Sequence, residues 1–198
     1  MPLLLQAASM ASFENDIKNC ISALEEGGTI LYPTDTIWGI GCDALNEKAV
    51  DKVFMLKQRP REKSMIILLA EAKDIIQYIA APPPDIIDIL EGFTTPTTVI
   101  YKGALGFPAN VAGADDSIAI RVTSDPFCKS LIKRLRRPLV STSANISGMA
   151  APATFDLIDS RIITGCDYVV TYRQDDKRIS EPSRIIRMED DGHFEIIR

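Results

Sequence analysis

A single-domain α/β (α+β) fold, a twisted mixed sheet flanked by helices, is the architecture this sequence predicts. Two patterns carry that expectation. Segments with apolar side chains at three- and four-residue steps alternate irregularly with short apolar runs of strand length. One such run, Met65-Ile-Ile-Leu-Leu69, is apolar without interruption, as expected of a strand covered on both faces. A length of 198 residues fits one domain, and 46% hydrophobic with 25% charged residues is the balance of a folded globular chain. The irregular order of elements argues against a regular parallel barrel.

Residues 1–11 read as a loose leader ahead of a domain spanning 12–198. Ser12 opens a helix with Phe13, Ile17, Cys20, Ile21 and Leu24 on one face, and Gly27-Gly28 ends it. Thr29-Ile-Leu-Tyr32 reads as a strand, and Pro33 to Cys42 as a polar loop whose glycines permit close backbone approach. Asn46 caps a second helix that buries Ala49, Val50, Val53, Phe54 and Leu56. Beyond the 65–69 strand, helices are predicted over 71–80 and 85–91, with Pro82, Pro83 and Pro84 between them. Strands follow at Thr97–Tyr101, Ser117–Val122 and Pro138–Ser141. A helix over Pro126–Leu135 presents Phe127, Leu131, Ile132 and Leu135 to the core. A short helix near 154–160 and strands near 167–171, 183–188 and 193–197 complete the reading.

The formal net charge of −5 does not draw the chain to nucleic acid, so any phosphate site must be a local concentration of Lys and Arg. Four cysteines without a C-x-x-C pair and one histidine, His193, offer neither a zinc cluster nor a disulfide framework. The cysteines read as small, reduced, apolar residues. No apolar run approaches the roughly 20 residues that span a bilayer. Met1-Pro-Leu-Leu-Leu also lacks the basic flank of a signal peptide, so a cytoplasmic location is expected. There is no G-x-x-x-x-G-K-[ST], no G-x-G-x-x-G after a strand and no H-E-x-x-H. A Ser-His-Asp triad would rest on His193 alone, which is expected on the surface. Without a nucleophile-base pair, placement and charge stabilisation must carry the chemistry.

Three polar loops interrupt or end apolar elements, and in open α/β sheets ligands bind where such loops gather. Lys57-Gln-Arg59-Pro-Arg61-Glu-Lys63 puts four cations in seven residues at a helix end. They either complement the helix dipole in water or form a polyphosphate clamp, Arg forking onto oxygens and Lys adding a point charge. Ser141-Thr-Ser143-Ala-Asn145-Ile-Ser147-Gly148 is either a turn of ordinary formers or a donor-rich seat for an anion. Thr34-Asp-Thr36 is the third, readable as a simple Thr turn before Trp38. Arg121 lies in the strand Ser117-Ile-Ala-Ile-Arg-Val122, where a buried guanidinium needs either a structural carboxylate or an anionic ligand.

Taken together, Thr29-Ile-Leu-Tyr-Pro-Thr-Asp-Thr-Ile-Trp-Gly-Ile-Gly-Cys-Asp-Ala, Lys-Gln-Arg-Pro, Ser-Ile-Ala-Ile-Arg-Val and Pro-Leu-Val-Ser-Thr-Ser-Ala-Asn-Ile-Ser-Gly resemble the YrdC-like family. They follow its K-x-R…S-x-N signature in order and spacing, from about residue 14 to the C-terminus. The resemblance implies a short, single-domain form with a deep basic cavity. It also implies an L-threonylcarbamoyladenylate synthase, a nucleotidyltransferase joining L-threonine, bicarbonate and ATP with release of pyrophosphate. Mg²⁺ would accompany ATP, and no protein metal ligands are identified. A downstream tRNA threonylcarbamoyl-transferase complex would consume the product during tRNA modification.

By the same resemblance, Thr36, Arg121, Ser141 and Ser183 are expected around threonine, with Arg121 on its carboxylate. Lys57, Arg59, Lys63, Ser117, Ser143, Asn145 and Arg198 are expected around ATP, and Lys57 and Arg59 as the catalytic pair. The chain departs from the family pattern at Phe93-Thr-Thr-Pro-Thr-Thr98, where Trp-Pro-Gly-Pro-Leu-Thr is usual, and at Ser183-Arg184. Leu68 and Lys63 stand where longer members carry His and Asn. The rival from another class is a non-catalytic protein of double-stranded RNA or tRNA binding, or of ribosome maturation, using the basic cavity as an electrostatic seat. A third reading keeps the fold and adenylates carbamoyl phosphate.

Overall fold

The computed structural model describes residues 2–62, 64–113, 115–189 and 193–198, with side chains from Ser12 onward. The first helix, α1 (Pro2–Glu25), buries Phe13, Ile17, Cys20 and Leu24 as its spacing predicts, while Ile21 is only partly covered. The leader expected over 1–11 falls on residues whose side chains lie outside the described set. Two short strands follow, β1 (Ile30–Tyr32) and β2 (Gly39–Gly41). Helix α2 (Glu47–Lys57) starts where Asn46 Oδ1 accepts the Ala49 N–H at 3.2 Å. It buries Ala49, Val50, Val53 and Phe54, and its last residue, Lys57, is buried with them.

Strands β3 (Ile66–Leu69), β4 (Thr97–Tyr101) and β5 (Ile118–Val122) come next, with α3 (Ile86–Glu91) before β4. Helix α4 (Pro126–Leu135) matches its predicted span: Asp125 caps it by accepting the Cys128 N–H at 3.0 Å, and Pro126 starts it. Strand β6 (Leu139–Ser143), helix α5 (Ser160–Gly165) and strands β7 (Tyr168–Val169), β8 (Arg184–Met188) and β9 (Phe194–Ile196) complete the order.

The nine strands among the described residues form one mixed sheet in the order β7-β1-β2-β6-β3-β5-β4-β8-β9. β3 lies at its centre, antiparallel to β6 and parallel to β5, and Ile67, Leu68 and Leu69 are buried. The uninterrupted apolar run therefore marks a strand buried on both faces over Ile67–Leu69, with Ile66 only partly covered. α1 packs on α4, with the Phe13 and Phe127 rings edge to face at 5.5 Å and Tyr172 at 5.1 Å from Phe13. The four cysteines are free, three of them buried.

Three expectations need correction. The segment Pro33–Cys42 is not all loop, because Gly39–Gly41 is a fully buried strand between β1 and β6. A Cβ at Gly41 would lie 2.7 Å from Tyr32 Cε1 and 2.7 Å from the Val140 carbonyl oxygen, so only glycine lets these strands close on the Tyr32 ring. The helix predicted over 71–80 is a 3₁₀ segment, Ala72–Gln77. The helix predicted near 154–160 splits into a 3₁₀ turn at Phe155–Leu157 and α5.

Candidate active site

Strand pairing builds the floor of the site. Residues paired across a ladder point to the same face. Gly39 pairs with Ser143, Ile66 with both Ser141 and Ala119, Leu68 with Arg121, and Ala119 with Ile100. One sheet face therefore carries Gly39, Ser143, Ser141, Ile66, Ala119, Arg121 and Ile100 side by side. These residues floor a cavity of about 280 Å³ whose walls include Thr36, Trp38, Arg59, Ser183 and Arg198. The cavity shares Thr36, Ile37 and Trp38 with a cleft of about 330 Å³, and Pro182, Ser183 and Arg198 with a basin of about 810 Å³. A further basin of about 640 Å³ has Asp35 and Ser124 in its lining and none of the expected site residues.

Of the residues expected in the site, Thr36, Arg59, Arg121, Ser141, Ser143, Ser183 and Arg198 meet in this cavity. Arg121 is 4% exposed and donates from Nη1 to Asp35 Oδ1 at 2.6 Å and to Thr36 Oγ1 at 3.2 Å. Its Nε is buried and has no hydrogen-bond partner among the described residues. The structural carboxylate that a buried strand arginine needs is therefore Asp35, which takes Nη1 and leaves Nε unsatisfied. Thr34 makes the turn that holds this loop, donating from Oγ1 to the Ile37 carbonyl at 2.8 Å and accepting the Thr36 N–H at 3.0 Å. Ser183 Oγ lies 2.8 Å from Thr98 Oγ1, which ties the 182–183 wall to β4.

Lys57 is placed beneath the cavity. Its Nζ donates to the Ser143 carbonyl, to the Asn145 carbonyl at 2.7 Å and to Asn145 Oδ1 at 3.4 Å, and it is 1% exposed. Burial, then the neighbouring Arg59 guanidinium, push this ammonium down to about 7. Asn145 accordingly faces Lys57 and its own turn, donating from Nδ2 to the Met149 carbonyl at 2.6 Å. Arg59 reaches the rim after Gln58 turns the chain at φ 50°. Its Nη2 donates to the Ser64 carbonyl at 2.9 Å, and burial lowers its guanidinium from the ordinary value. Ser117 is not in the lining, and its N–H donates to Asp115 Oδ1 at 3.2 Å. Lys63 lies outside the described residues.

The arrangement offers a hydroxyl-rich, cationic chamber rather than a nucleophile. Among the described residues no group of three His, Cys, Asp or Glu side chains could hold a metal ion, and no helix is long and apolar enough to cross a membrane. The family described as Telomere recombination (Sua5/YciO/YrdC) matches residues 22–198.

The chain belongs to the Sua5/YciO/YrdC family.

Its relatives include the threonylcarbamoyl-AMP synthase of Vibrio parahaemolyticus, 32% identical over 86% of this chain and 93% of that one. That of Pseudoalteromonas translucida is 36% identical over 69% of this chain and 75% of the other. In fold it resembles Sua5 of P. abyssi complexed with L-threonine, with a TM-score of 0.76 at 24% identity over 86% of this chain. The chain spans about half the length of that Sua5, at 50%. Against this family background, sequence reasoning overlooked Asp35 and Trp38 as parts of the site. The signal for Asp35 was present, since a strand arginine that must be buried needs a carboxylate from an adjoining loop.

Proposed function

We propose that this chain is a threonylcarbamoyl-AMP synthase that condenses L-threonine, bicarbonate and ATP. One observation carries the reading: a buried arginine with an unsatisfied Nε shares a sheet face with Ser141 and Ser143, and Arg59 stands on the rim of the same cavity. An amino acid's carboxylate fits the guanidinium edge, and phosphate oxygens fit the serine and arginine donors. The threonine amine, beside Arg121, Thr36, Ser141 and Ser183, condenses with bicarbonate to give a carbamate and water. A carbamate oxygen then bonds to the α-phosphorus of ATP, and the bond to pyrophosphate breaks.

Arg59, Ser143, Arg198 and Lys63 serve the nucleotide in this scheme. Lys57 serves by holding the 143–145 loop in place, since its ammonium is occupied by that loop's oxygens. Mg²⁺ bound with the nucleotide would supply charge neutralisation on the phosphates, with Arg59 and Arg198 adding theirs from the protein. Closing the carbamate and the mixed anhydride away from water protects both, and pre-orientation can supply up to roughly 7–11 kcal/mol in reactions run by placement. The product passes to a tRNA threonylcarbamoyl transferase, with the enzyme acting in the cytoplasm.

Pyrophosphate release measured with threonine and bicarbonate omitted in turn tests the proposal. Release requiring both supports it. Release that needs carbamoyl phosphate instead, or RNA binding without any release, overturns it.

A further inference from the structure

The Asp35 carboxylate divides its oxygens between two partners. Oδ1 accepts from Arg121 Nη1 at 2.6 Å, and Oδ2 accepts from the Ser124 N–H at 3.1 Å and the Ser124 hydroxyl at 3.2 Å. Both charged side chains are almost fully enclosed, at 4% and 9% exposure. An incoming carboxylate could expel Asp35 from the guanidinium or join it there. Expulsion would strand a buried carboxylate away from its cation, a costly state. Joining is favoured by the fork itself: guanidinium has five donors, and Arg121 Nε lacks an acceptor.

We propose that Asp35 is a positioning residue, which keeps hold of Arg121 Nη1 throughout and thereby leaves the rest of the guanidinium to the amino acid's carboxylate. This deepens the threonine site and rests on that reading. Thr36 Oγ1 accepts from the same Nη1 at 3.2 Å and adds a second hold on that corner of the guanidinium. Ser124 fixes the carboxylate from behind, so that strand β5 carries the arginine and the residues just after it carry the clamp. A role of charge alone has the opposite sign: neutralising Asp35 would leave Arg121 fully positive and tighten threonine binding.

The test compares Asp35→Asn and Ser124→Ala with the unaltered protein, by threonine and ATP KM in the pyrophosphate assay and by thermal unfolding. Threonine-dependent release by the unaltered protein decides the activity itself, separately from the variants. Asp35→Asn is expected to raise threonine KM about tenfold or more, with ATP KM within about twofold. Ser124→Ala, which removes one of the two donors to Oδ2, is expected to raise threonine KM by a smaller factor in the same direction. Unchanged or lowered threonine KM in Asp35→Asn, or a parallel rise in both KM values, overturns the proposal. If Asp35→Asn does not fold, Ser124→Ala decides, and an unchanged threonine KM there overturns it. Threonine added to the unaltered protein should also shift the Arg121 guanidinium resonances in ¹⁵N-labelled samples, and no shift overturns the shared-guanidinium arrangement.

Discussion

Lys57 illustrates how one side chain's surroundings revise its role. Its place in a cation-rich helix end pointed to a phosphate clamp, yet its Nζ is enclosed by the oxygens of Ser143 and Asn145. Its folded value near 7 lies below the ordinary 10.5, so the unfolded chain binds more protons between those limits. Stability therefore rises with pH from about 7 until the unfolded-state thiols begin to ionise near 8.5. Urea unfolding across that window should show the slope, and Lys57→Met should abolish it while costing about 2–3 kcal/mol through the stranded loop oxygens. Arg121→Ala should raise the threonine requirement by about a hundredfold or more, loss of a charged hydrogen-bond pair, while leaving ATP KM little changed. Steady-state kinetics with each substrate varied would check that split. The letters around Arg121 announced a buried cation in need of an anion. They could not say that Asp35 would take one edge only, because that depends on where the β1–β2 loop lies against β5.

Among the elements, β2 was the one the sequence hid. Glycine at two of its three positions is a weak strand former, so Gly39-Ile-Gly41 read as loop. Its stability comes from what it lets its neighbours do, namely approach the Tyr32 ring and the β6 backbone. Gly41→Ala places a methyl 2.7 Å from the Val140 carbonyl oxygen, which cannot move without disturbing β6. A loss of about 2 kcal/mol is expected in denaturant unfolding. The segment after β7 is anchored differently. Buried Asp16 of α1 accepts from the Tyr168 hydroxyl at 2.5 Å, the Thr171 N–H at 3.0 Å, the Thr171 hydroxyl at 2.9 Å and the Tyr172 N–H at 2.9 Å. Arg173 continues the seam, donating to Asp125 at 2.9 Å and to the Thr34 carbonyl at 2.9 Å. Asp16→Ala removes four acceptor contacts at once and should cost about 3 kcal/mol. Limited proteolysis should then cut within 173–182 faster than in the unaltered protein. Asp16 was legible only as a polar residue on an otherwise apolar helix face, since its partners lie more than 150 residues away.

At the scale of the whole molecule, the chain's single tryptophan lines the cavity, where Trp38 is 6% exposed and packs on Phe155 at 4.8 Å. Tryptophan emission should therefore respond to ATP, and the response should weaken in Arg59→Ala; a titration followed by fluorescence measures both. The helix spans of α2 and α4, the burial of β3 and the family itself were determined by the sequence, because local periodicity, caps and motif spacing are properties of neighbouring residues. The convergence of Thr36, Arg59, Arg121, Ser143 and Arg198 on one chamber was decided by the tertiary structure. So were the burial of Lys57 beneath it and the exclusion of Ser117 from its lining. Ladder register and loop packing set which side chains face the same space, and those depend on contacts between segments far apart in the chain.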